Sequence, residues 1–146
     1  MDGRIVIVGA GHAGGSAAAL LRQWGWVGPI DLVGSEQRLP YQRPPLSKGL
    51  MLGKVAPEEL LLKPEAFYAE RNIAFRGGER VVRIDRAERR AGLASGAALP
   101  YDHLVIATGA RLRRLDVPGA DLCGVMSLRT ADDALALRGA IREGLR

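Results

Sequence analysis

Apolar positions along the chain follow two periods, and the alternation between them marks out the elements. Arg4–Val8 is a short β-rich run ending at a glycine, the pattern of a strand buried on both faces. From Ala13 to Trp24 the residues are helix formers, and Gly25 is a natural C-terminal stop. Ile30–Val33, closed by Gly34, predicts a second strand. Strand, helix and strand make a β-α-β unit, the opening of a parallel sheet. The proline-rich segment Leu39–Lys48 must be an irregular connection, with Ser47 placed to cap a short helix running through Met51. Pro64–Arg71 reads as a helix, Ile73–Phe75 as a short strand and Arg80–Asp85 as an alternating one. Arg89–Leu93 and Ala97–Tyr101 flank Ala94-Ser95-Gly96 as a hairpin, and His103–Ala107 reads as a buried strand. The irregular stretch Arg111–Leu128 leads to a last helix, Thr130–Leu145, with Ala134, Leu137, Ile141 and Leu145 at helical spacing. Thr130 and Asp133 resemble a capping pair at its start. An α/β chain ordinarily follows such a helix with another strand, so the pattern suggests a fragment or a polypeptide that depends on another chain.

Composition narrows the function classes. The 146 residues suffice for one domain with a sizeable core, and 47% hydrophobic with 25% charged residues is globular. The net charge is +5, and all basic residues except Lys48, Lys54 and Lys63 are arginines. They are dense only at Glu88–Arg90 and Arg111–Arg114, and neither stretch is interleaved with aromatic residues as a stacking surface would be. Nucleic acid is therefore not an expected partner, although a basic face could steer an acidic one. Cys123 is the only cysteine, which excludes an internal disulfide and a cysteine-rich metal site; it reads as a small hydrophobic filler. His12 and His103 have no metal-ligand spacing. No apolar run is long enough to cross a bilayer and no signal peptide is apparent, so a cytoplasmic protein without membrane partners is expected.

The candidate chemistry starts at Gly9-x-Gly11-x-x-Gly14, which follows a predicted strand and opens a predicted helix. In such a loop Gly9 permits the turn, Gly11 lets a pyrophosphate approach the backbone, and Gly14 lets helix and strand pack closely. The helix N-terminus offers N–H groups and a positive dipole end to the phosphates. An acidic residue near the end of the second strand should meet a ribose; Ser35 stands there and Glu36 follows. His12 reads as a spacer facing solvent or the ligand edge. The fold class expected is α/β: a Rossmann-like parallel sheet with flanking helices and a small antiparallel hairpin or meander, an incomplete FAD/NAD(P)-binding fold. The loop alone leaves NAD and FAD both open. Further on, Pro44 and Pro45 stiffen Tyr41–Lys48, so Arg43 and Lys48 are two cations on a rigid segment, suited to a pyrophosphate and an electron-rich ring.

Taken in order, VIVGAGHAGGSAAALLR, LVGSE, PYQRPPLSK, YDHLVIATGAR and LRTADDALALR resemble the N-terminal part of the FAD-dependent ferredoxin, putidaredoxin and rubredoxin reductases, over essentially the whole chain. The resemblance implies FAD as cofactor, NAD(P)H as electron donor and a ferredoxin-type iron–sulfur protein as acceptor. It assigns Gly9, Ala10, Gly11, His12, Ala13 and Gly14 to the loop at the FAD pyrophosphate. The family's ribose-binding acid falls on Ser35, with Glu36 beside it. Arg43 matches an arginine on the phosphate side, and Lys48 a catalytic lysine near the reactive edge of the flavin. Val81 matches a backbone contact to adenine, Ala107, Thr108 and Gly109 a turn against the cofactor, and Arg129 a further FAD contact. The resemblance divides the chain into residues 1–115, a first segment of an FAD-binding domain, and 116–146, a hinge and first helix leading toward an NAD(P)-binding domain. It also implies that NAD(P)-binding and C-terminal portions lie outside these residues or on a second chain. The other class of function is a stand-alone nucleotide-binding module without activity of its own.

Overall fold

β1 (Ile5–Val8) is apolar at every position because both of its faces are covered. A computed structural model describes residues 2–141, which fall into two units, 2–41 with 61–109 and 42–60 with 110–141. In the first unit β1 is followed by α1 (His12–Gln23) and β2 (Ile30–Gly34). After α2 (Glu65–Glu70) and β3 (Ile73–Gly77) come β4 (Val81–Asp85), β5 (Arg90–Leu93), β6 (Ala98–Pro100) and β7 (His103–Ile106). Four strands form a parallel sheet in the order β3-β2-β1-β7. β4, β5 and β6 form a separate antiparallel sheet.

Alternate side chains of β1 and β2 serve two cores. Ile5, Ile7, Ile30 and Leu32 pack with Ala18 of α1, Tyr68 of α2 and Ile73. Val6, Val8 and Val33 pack on the other face with Ala91, Leu93 and Leu99 of the antiparallel sheet. Each fully buried isoleucine or leucine contributes roughly 1.5–3 kcal/mol. Asp31 is the buried charge of this unit, between Arg4 Nη1 at 2.6 Å and Arg76 Nε at 2.7 Å. Arg22 closes the far end of α1: its guanidinium donates to the carbonyls of Trp26 (2.6 Å), Gly28 (2.8 Å), Arg71 (2.6 Å) and Asn72 (2.8 Å). Partial burial lowers its pKa.

Several expectations change on the structure. β7 is an edge strand rather than a buried one, and Ile106 is 65% exposed. A register shift between Val81 and Arg83 breaks the alternation of β4 and leaves Val82 exposed. β3 extends two residues further than Phe75 because it pairs with β2 as far as Gly77.

In the second unit Ser47 ends a 3₁₀ turn, Pro44–Ser47, instead of capping a helix; the two prolines supply its start. A second 3₁₀ turn spans Pro57–Leu60. Residues 111–128 are irregular, as expected, but Cys123 is exposed and fills no core. α3 (Ala131–Ala140) ends before Ile141, which turns to extended backbone and is 60% exposed. Leu145 lies outside the described residues.

Candidate functional site at the end of the parallel sheet

The strand order of the parallel sheet reverses between β1 and β7, the place where open α/β sheets accept ligands beyond the C-terminal strand ends. In register, Val8 lies beside both Val33 and Ile106. The glycine loop, Ser35–Glu36 and Ala107–Gly109 therefore all leave the sheet at the same edge. Gly9 has φ of 110°, and a Cβ there would overlap the carbonyl of Ala107 and lie 2.9 Å from the amide nitrogen of Thr108. No side chain fits between the ends of β1 and β7. A Cβ on Gly14 would strike the carbonyl oxygen of Gly9 and sit 3.3 Å from Ile7 Cγ2, so this glycine sets the close approach of α1 to β1.

Gly11 differs from both. Its φ of −84° and ψ of −163° suit any residue, and a Cβ there would meet nothing within 4 Å. Nothing in the described protein calls for glycine at this position, whereas an incoming group seated against its backbone would. Gly11 is also the N-cap of α1, where it supplies no side chain to the helix end, and the first turn contains no acidic residue. A helix end without a capping side chain or a carboxylate presents its N–H groups and positive dipole end to an anion. The donor set fits a pyrophosphate. His12 and Ala13, the first residues of α1, are exposed, and Ala10 is partly buried.

On the neighbouring strand Ser35 is exposed, and Glu36 Oε2 accepts a hydrogen bond of 2.5 Å from the hydroxyl of Tyr41. This bond fixes a carboxylate just past the end of β2; a spacing of five residues with no regular element gave no sequence signal for it. The amide of Glu79 donates to the carbonyl of Gly34 at 2.9 Å, tying the connection from β3 to β4 against the end of β2. Val81 then packs on the core formed with Val6, Val8 and Val33. Thr108 and Gly109 are exposed, and Gly109 has φ of 68°.

In the second unit, Arg43 and Arg129 are brought together: Arg43 Nη1 donates to the Arg129 carbonyl at 2.5 Å. The Arg129 and Thr130 amides donate to Asp133 Oδ2 at 2.9 and 2.8 Å, and the Asp133 amide donates to the Thr130 hydroxyl at 3.1 Å. These bonds complete the capping box expected from the sequence. Partial burial opposes ionisation of Asp133, but the amide and hydroxyl bonds and the nearby Arg43 outweigh it and lower its pKa. Lys48 is exposed just after the 3₁₀ turn. No helix among the described residues is long and apolar enough to cross a membrane.

Comparison with known proteins gives a consistent result. Residues 3–143 match the family model described as pyridine nucleotide-disulphide oxidoreductase. The chain is 48% identical over 137 residues to rhodocoxin reductase of Rhodococcus erythropolis, covering 94% of this chain and 32% of that protein. It is 44% identical to rubredoxin-NAD(+) reductase of Pseudomonas putida, covering 95% and 36%. Among solved structures it resembles the ferredoxin reductase for the CYP199A2 system of Rhodopseudomonas palustris, with a TM-score of 0.88, 48% identity, and coverage of 93% and 33%. The reductase of the covalent putidaredoxin reductase–putidaredoxin complex gives a TM-score of 0.85 at 40% identity, over 94% and 34%. The chain thus spans about a third of the length of the curated relatives it matches. With a family match running through the glycine loop, both sheets and α3, the chain belongs to the pyridine nucleotide-disulphide oxidoreductase family.

Proposed function

We propose that this chain is the FAD-binding part of an NAD(P)H-dependent reductase that passes electrons to a ferredoxin-type iron–sulfur protein. The observation that carries the reading is Gly11, a helix N-cap whose missing side chain leaves open space that no protein atom fills. The names of the relatives, a rhodocoxin reductase and a rubredoxin-NAD(+) reductase, support the choice of electron acceptor. When bound, the flavin accepts a hydride and releases electrons singly, which is the chemistry the side chains themselves lack.

The residues of this chain bind and orient. The backbone of Gly9, Ala10, Gly11, His12, Ala13 and Gly14 receives the pyrophosphate, with the N-terminus of α1 stabilising its charge. Glu36, held by Tyr41, accepts from ribose hydroxyls, and Ser35 stands in the family's acidic position beside it. Val81 meets adenine through its backbone, and Ala107, Thr108 and Gly109 form a turn against the cofactor. Arg43, Lys48 and Arg129 are assigned on the resemblance: Arg43 and Arg129 to FAD contacts, Lys48 to the flavin edge, where its ammonium stabilises negative charge on the reduced ring. Residues 1–115 then belong to the FAD-binding domain, and 116–146 lead toward the NAD(P)-binding one. The 146 residues hold one glycine fingerprint, and FAD takes it up, so the nicotinamide nucleotide is bound elsewhere in the reductase. A cytoplasmic location belongs to the same reading, supported by the single cysteine.

A visible spectrum of the purified chain, followed by anaerobic NADH, tests this. The expected result is partial flavin occupancy without rapid bleaching. Fast reduction of stoichiometric flavin by these residues alone overturns the assignment of the donor site elsewhere.

A further inference from the structure

Gly9, Gly11 and Gly14 answer to the turn, the pyrophosphate and the packing of α1 on β1, but Gly15 answers to none of these. It stands inside α1, where glycine is costly compared with alanine, and its backbone has no left-handed angle to call for glycine. A Cβ there would lie 2.5 Å from Pro40 Cβ, 2.8 Å from Pro40 Cγ and 3.3 Å from Leu62 Cδ1. The missing side chain therefore serves a segment distant in sequence: it lets Pro40, itself fully buried, lie directly on the first turns of the helix. A second close approach marks the other end of that segment. A Cβ on Gly34 would lie 2.5 Å from the Cβ of Ala10, so the glycine loop rests on the end of β2. Residues 34–40 are thus pressed against the loop and helix at both ends, with Glu36 between.

Glu36 is tied down within this span. Its carbonyl accepts the Gly78 amide at 3.0 Å, and its Oε2 accepts the Tyr41 hydroxyl at 2.5 Å. The tyrosine is itself fixed. It is 5% exposed, bridges to Leu61 and follows Pro40, whose carbonyl accepts the Leu62 amide at 2.8 Å. A phenol–carboxylate bond is charge-assisted and stronger than a neutral one. A carboxylate has about four acceptor positions, so the tyrosine proton orients the group without consuming it.

We propose that Tyr41 is a positioning residue that makes the site select a nucleotide with free ribose hydroxyls. Seated on Gly15 through Pro40, it holds the Glu36 carboxylate at a set spacing from the glycine loop, the spacing between the pyrophosphate and the ribose of one ligand. The proposal rests on the reading of the loop as a pyrophosphate site and of Glu36 as the ribose acceptor. A carboxylate oriented before the ligand arrives does not lose side-chain freedom on binding, so its preference for a ribose diol is larger than that of a mobile one. A tyrosine that only fills the core would add to stability without adding to that preference.

The test is the affinity of the 146-residue chain for ADP and for 2′,3′-dideoxy-ADP, which keeps the pyrophosphate and lacks both hydroxyls. The parent should prefer ADP by about tenfold or more, the worth of hydrogen bonds to a charged acceptor. Tyr41→Phe keeps the buried ring and should reduce that preference about fivefold, with dideoxy-ADP affinity within about twofold of the parent. Gly15→Ala displaces Pro40 and should reduce the preference in the same sense. Glu36→Gln should erase most of it. Equal weakening of both nucleotides by Tyr41→Phe is the mark of a structural role and overturns the proposal. Preference lost in Glu36→Gln but kept in Tyr41→Phe overturns the proposal alone. Preference unaltered in Glu36→Gln, or no binding of ADP by the parent, overturns the underlying reading and the proposal with it.

Discussion

Alanine at Gly11 and alanine at Gly14 should fail in opposite ways. At Gly14 the added methyl strikes the Gly9 carbonyl oxygen, a backbone atom that cannot swing aside, and lies 3.3 Å from Ile7 Cγ2. Overpacking of this kind costs roughly 1–3 kcal/mol or more. The better helix propensity of alanine returns about 1 kcal/mol. A net loss of about 2 kcal/mol is expected for Gly14→Ala. At Gly11 the methyl meets nothing within 4 Å and the backbone is already in an ordinary region. The lost N-cap preference, about 0.5–1 kcal/mol, is offset by reduced freedom of the unfolded chain, about 0.4–1 kcal/mol. Stability of Gly11→Ala should therefore stay within about 0.5 kcal/mol of the parent, while ADP affinity falls by on the order of tenfold because the methyl holds the pyrophosphate off the backbone. Urea unfolding and equilibrium dialysis of ADP give the two readouts. Equal destabilisation by both variants, or unaltered ADP affinity in Gly11→Ala, refutes the reasoning.

Other perturbations test the scaffold around the site. Asp31→Ala leaves Arg4 and Arg76 without their shared carboxylate and should cost about 1–2 kcal/mol in urea unfolding, because both arginines stay more than a third exposed and water takes over their solvation. Tyr68 has a buried hydroxyl without a hydrogen-bond partner among the described residues, and burial pushes its pKa up to about 12. Tyr68→Phe removes that unsatisfied group and should leave stability unchanged or raise it by about 1 kcal/mol. The lowered pKa of Asp133 means that its contribution to α3 is complete above the ordinary aspartate range and is lost as pH falls through the folded value. Amide NMR shifts of Asp133 and Ala134 should therefore move only in acid, and Asp133→Asn should abolish that movement.

The β-α-β opening and the glycine loop were legible because each depends on neighbours in sequence. β1 and α1 declare themselves by period, and Gly9 and Gly14 by spacing. Contacts between distant segments left weaker marks. β7 follows the antiparallel hairpin in sequence but pairs with β1, and that pairing both creates the switch point and exposes Ile106. The charged residue in the apolar run Ile30-Asp31-Leu32-Val33 was a signal for the ion pairs with Arg4 and Arg76, although neither partner could be named from spacing. Ser47 carried a helix-start signal that Pro44 and Pro45 had already used one turn earlier. Cys123 has the composition of a core residue but lies in a stretch whose apolar side chains, including Leu122 and Val125, are themselves exposed. Arg89 gave no sign of its backbone conformation, because the left-handed turn is imposed by closure of β4 on β5 rather than by residue type.

The central claim is that the glycine loop of this chain holds the ADP portion of FAD. Calorimetric titration of the 146-residue chain with FAD, ADP, NAD and FMN tests it most directly. The account predicts that FAD and ADP bind and compete for one site, that NAD binds more weakly than FAD, and that FMN, which lacks the pyrophosphate, does not compete. FMN displacing FAD as well as ADP does, or NAD binding more tightly than FAD, would contradict it.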